Sequence, residues 1–361
     1  MTSRERLLAA LCRQVPDRLP VTVHQWQQYH LDRYLDGISA LAAFRRFGMD
    51  ATISVFAYDF AESHDWRTGI RTHVDADGYR VTHTTIATPG GTLSTTSAAN
   101  DMTSWVTEPM VKRPEDIELL RRYLPVPGID LEAVGAAKRE LGEDGILRGF
   151  PFGYQGSPWQ DACCYHGTEE MIYAAIDRPD WTREFLNVLL EKKLEFVERW
   201  LVRCPFDVIE TGGGAGSSTV ISPQIFEEFL LPVDRKLHEA LHAAGHQAVY
   251  HTCGGMMPIL ELIVRNGCDV SETLSPREVG GDADHAEIKR RIGKKVSLIG
   301  GMNQFQVLTE GTPESIRAEV RRLFAALGPG GGYVLSPSDH FFDAPAENLQ
   351  AYADAARECM Y

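Results

Sequence analysis

The 361-residue chain has no long apolar run: Val21–Val23 and Met256–Leu260 fall far short of the ~20 residues a membrane-spanning helix needs. Its start, Met1-Thr2-Ser3-Arg4-Glu5-Arg6, opens a charged amphipathic helix and lacks the apolar core of a secretion signal. Positive charge is scarce too. With 36 Lys and Arg against 50 Asp and Glu, the net charge of −14 is opposite to that of a nucleic-acid-binding surface. A small anionic substrate remains possible, because a local basic pocket can sit inside an acidic protein. The seven cysteines are odd in number and irregularly spaced, so no disulfide framework is expected. A reducing cytoplasm is the expected setting, and any special cysteine is then a metal ligand or nucleophile. No Gly-x-Gly-x-x-Gly follows an early strand, which argues against a dinucleotide fold. Low-complexity linkers and solenoid repeats are missing as well.

What is present is alternation. Hydrophobic residues make up 43% of the chain, enough for a large core. Eight β-like runs are separated mostly by helical ones: Arg18–His24, Ala51–Asp59, Gly145–Phe150, Phe206–Glu210, Gln247–Cys253, Cys268–Thr273, Val296–Met302 and Gly332–Ser336. Ser222-Pro223 reads as a cap with proline in the first turn. Ile225, Phe229, Val233, Leu237 and Leu241 then form a buried stripe with a kink expected at Pro232. Alternating strands and helices imply parallel pairing, and eight strands favour a closed (β/α)8 barrel over an open doubly wound sheet. The segment Gly69–Ser97 is rich in Thr, with turn signals at Asp77-Gly78 and Gly90-Gly91. It predicts a β-hairpin insertion after the second strand, as a flap of one domain spanning residues 1–361.

Active-site residues of such barrels sit at the C-terminal ends of strands. There the sequence places His24 and Gln25, Asp59, Glu210, His251 and Cys253, Glu272, Asn303 and Gln304, and Asp339 with His340. Polar residues at a barrel mouth also occur merely because solvent reaches them. His251-x-Cys253 is sharper, because residues i and i+2 of a strand share a face and can converge on one ion. Zinc accepts imidazole with thiolate and, in catalytic sites, keeps a position open. With 12 histidines and seven cysteines the pattern arises by chance in roughly one such chain in four, so its place at a strand end carries the reading. Chain geometry allows Glu272, Asp339 or His340 as the further ligand, and spacing does not choose among them.

Several motifs together resemble the uroporphyrinogen decarboxylase superfamily. They are Ile221-Ser222-Pro223-Gln224-Ile225-Phe226, Phe229-Leu230-Leu231-Pro232, His251-Thr252-Cys253-Gly254-Gly255, Leu298-Ile299-Gly300-Gly301-Met302 and Pro345-Ala346-Glu347-Asn348. The resemblance implies a single (β/α)8 barrel and one of two chemistries. Decarboxylases of the superfamily carry Arg-Gln-Ala-Gly-Arg after strand one, whereas this chain has His24-Gln25-Trp26-Gln27-Gln28. Without those guanidinium partners for propionates, decarboxylation of a porphyrinogen is not expected. The other branch comprises zinc-dependent methyltransferases that work with corrinoid proteins, and His251 and Cys253 match its His-x-Cys. That branch often adds a cysteine after strand eight. Counting from Leu335, that position falls on Asp339. Glu272 resembles a zinc-binding glutamate of the more distant cobalamin-independent methionine synthase.

The resemblance thus implies a zinc enzyme moving a methyl group between a small molecule, of the methyl ether or thiol class, and cobalamin carried on a partner protein. Asp59 and Glu210 would orient substrate or relay a proton, and a homodimer is implied by the superfamily alone. The alternative is a metal-independent decarboxylase acting on a smaller acid through Asp59, the position matching the decarboxylases' catalytic aspartate.

Overall fold

The computed structural model describes residues 1–60 and 63–361. Strands β1 (Ala51–Ser54) and β2 (Tyr58–Asp59) lead into a flap of four strands. These are β3 (Arg67–Val74), β4 (Arg80–Thr88), β5 (Gly91–Ala99) and β6 (Ser104–Glu108). The short β7 (Gly128–Ile129) and β8 (Gly145–Gly149) follow. The remaining strands are β9 (Val208–Gly212), β10 (Gln247–His251), β11 (Val270–Thr273), β12 (Ser297–Met302) and β13 (Tyr333–Pro337). One curled parallel sheet runs β1-β8-β9-β10-β11-β12-β13, with helices between its later members.

The eighth position of the barrel is filled without a regular strand. Leu335 donates its N–H to the Pro20 carbonyl, Thr22 donates to Leu335, and Asp50 donates to Val21. Pro20 has no N–H to give, and the Val21 N–H goes to the Asp50 carboxylate at 3.0 Å instead of to a neighbouring strand. The expected strand Arg18–His24 is therefore a closing segment with isolated bridges at Val21 and Arg18. Buried Asp50 is balanced by Arg6 and Arg18 at 2.6 and 3.1 Å.

The expected second strand, Ala51–Asp59, is divided. Its first half belongs to the barrel, but Tyr58 and Asp59 pair antiparallel with Gly128–Ile129 outside it. The flap is antiparallel throughout and longer than the Gly69–Ser97 segment suggested. Its tight turn closes where Asp75 and Tyr79 pair, and Asp75 Oδ1 accepts from the Asp77 and Tyr79 amides. The expected kink at Pro232 is a π-helical turn, Phe226–Leu230, ahead of the helix Leu231–Ala243. The wider turn precedes a residue that cannot donate to the helix ladder.

Strand periodicity builds the barrel interior in layers. Ile146, Val208, Val249, Val270, Ile299 and Val334 cluster with Leu7, Ala10 and Leu11 of the helix Ser3–Leu11, which seals one end. Two residues further along four of those strands, on the same inward face, stand Arg148, Glu210, His251 and Glu272. An apolar floor thus carries a charged layer.

On the helix Leu231–Ala243, His238 is fully buried between Thr211 Oγ1 and the Asn266 carbonyl, each 2.8 Å away. Burial lowers its imidazole to about 4, against 6.5 ordinarily. Its contribution is complete above pH 6.5 and is lost as pH falls toward 4, by about 3 kcal/mol. Burial pushes Asp234 the other way, up to about 6, so the whole-protein profile mixes both. Comparing urea midpoints of wild type and His238→Gln from pH 7 to 4 isolates the effect. The variant should lose less on acidification.

Candidate metal centre

His251 is the last residue of β10 and Cys253 lies two residues on. His251 Nε2 stands 2.7 Å from Cys253 Sγ, and the thiol donates to Asp339 Oδ2 at 3.0 Å. Asp339 follows β13, which has two strands between it and β10 in the sheet, so the contact spans the barrel mouth and joins residues 86 apart in sequence. The ligand atoms of these three residues lie within 4.8 Å of one another, and so do those of His24, Asp339 and His340. His24 centres a small group of tilted imidazoles, its ring centroid 4.8 Å from that of His251 and 5.0 Å from that of His340. The Gln27 side-chain amide reaches His340 Nδ1 at 2.9 Å. His24 Nδ1 is buried and has no partner among the described residues.

Behind His251 lies the charged layer. Its Nδ1 is 3.2 Å from Glu272 Oε2. Arg148 donates to Glu210 at 2.7 Å and to both oxygens of Glu272 at 2.8 and 2.9 Å. His24 Nε2 is 3.1 Å from Glu210. His24, Glu210, His251 and Glu272 also form a cluster able to hold a cation, but the Arg148 guanidinium already bonds both carboxylates there. Glu272 therefore sits behind the imidazole, on the side away from Cys253.

The charges fit this division. Burial alone would raise Glu210, but His24 and Arg148 overcome it and bring the carboxyl down to about 2. Burial is likewise outweighed at Glu272, which Arg148 and His24 hold well below the usual range. Burial would lower His251, yet Cys253 and the two glutamates hold it well above its ordinary value. The Cys253 thiol is pushed up by burial and by Asp339, against the pull of His251. Burial brings His340 down to about 4, assisted by His24, so its imidazole is neutral.

After Glu272 the backbone turns sharply through positive φ at Thr273 (125°) and Leu274 (53°). Opposite lies Gly300, where a Cβ would meet the Thr273 carbonyl oxygen at 1.9 Å. Only glycine lets the two strands close at this level.

The other expected residues separate. Glu210 borders the site but is committed to Arg148 and His24. Asp59 is exposed on β2, and the structure does not bring it to the cluster. Arg148 was not singled out from the sequence, although one charge within Gly145-Ile146-Leu147-Arg148-Gly149 is a visible signal. A cavity of about 210 Å³ opens beside the centre, lined by His24, Glu210, His340, Phe56, Phe150 and Gln155 among others.

A curled parallel barrel gathers imidazole, thiol and carboxylate at its mouth, a donor set that could hold a metal ion. The family model described as uroporphyrinogen decarboxylase (URO-D) matches residues 72–359, and the chain belongs to that family of enzymes. Uroporphyrinogen decarboxylase of Psychromonas ingrahamii is 28% identical over 272 residues, covering 69% of this chain and 71% of the relative. That of Shewanella loihica is 29% identical over 250 residues, covering 63% and 64%. A solved structure described as a methyltransferase from Methanosarcina mazei superposes with a TM-score of 0.69 at 20% identity, over 99% of both chains. Among the described residues no helix is long and apolar enough to cross a membrane.

Proposed function

We propose that the protein is a zinc-dependent methyltransferase that moves a methyl group between a small ether or thiol and cobalamin carried on a partner protein. The observation that carries this reading is the convergence of His251 Nε2, Cys253 Sγ and Asp339 Oδ2 at the barrel mouth beside a cavity. The donor set fits zinc: nitrogen, sulfur and oxygen from three positions at the mouth, with His340, or His24 through the Nδ1 that has no partner among the described residues, near enough to complete it. Zinc bound there supplies Lewis acidity, which stabilises negative charge on the oxygen or sulfur whose bond to methyl is made or broken.

The chain's own residues do the rest. Glu272 fixes the His251 ring through Nδ1 and so keeps Nε2 aimed at Cys253. Glu210 stays ionised and orients His24 rather than relaying a proton itself. His24 and His340 both line the cavity, where an imidazole can give or take the proton of the leaving or attacking group. We place the enzyme in the reducing cytoplasm, where Cys253 stays a thiol, and assign a corrinoid protein as partner and a homodimer as the assembly. The methyltransferase superposition is compatible with this reading. Decarboxylation through Asp59 draws no support from that residue's exposed position.

The test is metal analysis of freshly purified protein. One zinc per chain is expected, with occupancy lost in Cys253→Ala and His251→Ala along with methyl transfer to cobalamin. Metal-free wild-type protein with full activity, or rapid conversion of uroporphyrinogen to coproporphyrinogen, would overturn the assignment.

A further inference from the structure

Next to the small cavity, between the flap and the barrel, lies a second chamber of about 750 Å³. Tyr58 and Gly153 line both, so the two spaces adjoin. The larger one is walled by the rings of Tyr58, Trp66, Phe152, Tyr154 and Tyr165, with Tyr154 and Tyr165 edge-to-face at 5.6 Å. Tyr154 remains 40% exposed, so its ring is open to a ligand rather than buried in the core.

The partition between the chambers is built to be rigid. Lys193, 1% exposed, pairs with Asp161 at 2.6 Å and donates to the Phe152 carbonyl at 2.7 Å. Asp161 Oδ1 accepts from the Tyr154 amide at 2.6 Å. Gly153 has φ +109°, and a Cβ there would fall 2.3 Å from Asp161 Oδ2. Gln155, on the small-cavity side, is held at φ +62°. A buried ion pair thus pins the segment Phe152–Gln155 from behind and fixes the aromatic wall before any ligand arrives.

We infer that the large chamber is the binding subsite for a flat aromatic portion of the substrate, remote from the methyl group. Apolar aliphatic groups would fill such a space equally well by area alone. Ring faces and edges add a preference for π-systems at offset or perpendicular geometry. Because Tyr58 and Gly153 line both spaces, the cavity of His24, Glu210 and His340 adjoins a molecule seated here. The inference rests on the methyl-transfer reading only in calling the ligand a substrate.

Calorimetric titration of the intact purified protein with 2-naphthol and with its ring-saturated counterpart, decahydro-2-naphthol, tests it. Saturable binding of 2-naphthol is expected, at least tenfold tighter than the saturated alcohol. Trp66→Ala and Tyr154→Ala should each weaken it tenfold or more with zinc content unchanged. His251→Ala should bind 2-naphthol as wild type does, so loss of the metal reading leaves this result interpretable. No saturable binding, equal affinity for the two alcohols, or wild-type affinity in both wall variants would overturn the subsite.

Discussion

Replacing Arg148 with methionine should cost about 3–5 kcal/mol of stability, the range found when one partner of a buried ion pair is removed. The guanidinium is 1% exposed and donates three hydrogen bonds to Glu210 and Glu272. Without it, two carboxylates remain inside the barrel with only His24 and His251 to balance them. Methionine fills much of the volume but takes away the donor of Glu272 Oε1, and Glu210 and Glu272 Oε2 keep only their histidine contacts. The pH profile gives a second readout. Glu210, lowered from 4.5 to about 2, stabilises the fold above pH 4.5 and withdraws that contribution as pH falls toward 2. In Arg148→Met the carboxyls titrate higher, so acid unfolding should begin at higher pH. Adding Glu272→Gln should recover part of the loss, since one of the stranded charges is then gone. Urea unfolding at pH 7 and an acid titration decide it. A single variant within 1 kcal/mol of wild type would mean the ion pairs contribute little net stability.

This centre was only partly legible in the sequence, and the reason is physical. Strand ends announce themselves locally: the apolar run Ala248-Val249-Tyr250 stops at His251 and the chain breaks at Gly254-Gly255. So the rim positions His251, Cys253, Glu272 and Asp339 could be named. Which atoms meet depends on partners far away in sequence. Arg148 finds Glu210 and Glu272 from 62 and 124 residues distant, a relation no local pattern encodes. The layer beneath was more readable, because apolar residues at Ile146, Val208, Val249 and Val270 stand two places before the charged ones and share their face.

The misreadings came from backbone groups rather than side-chain pattern. Arg18–His24 has strand-like composition, but Pro20 lacks a donor and Asp50 takes the Val21 amide, so its pairing stays fragmentary. Ala51–Asp59 is continuous in hydropathy, yet the chain leaves the barrel after Ser54, and Asp59 goes with it.

Glu272→Gln should weaken zinc binding 10- to 100-fold, the usual effect of removing a carboxylate that orients a ligand histidine. The glutamate oxygen nearest His251 is 3.2 Å from Nδ1, on the ring edge opposite Cys253, and both oxygens are bonded to Arg148. A carboxylate so placed keeps the proton on Nδ1 and leaves Nε2 as the basic nitrogen. Glutamine keeps the shape but reduces that bias, and it leaves Arg148 with one fewer counter-charge. The expected loss corresponds to about 1.4–2.7 kcal/mol. Asp339→Ala should be worse, because it removes an oxygen 3.0 Å from the cysteine sulfur instead of a supporting contact. Chelator competition at fixed pH ranks the two variants against wild type and Cys253→Ala. If Glu272→Gln loses zinc as completely as Cys253→Ala while Asp339→Ala retains it, Glu272 is the ligand and the last strand is not. If Glu272→Gln binds as tightly as wild type, the contact with His251 does not position the ring.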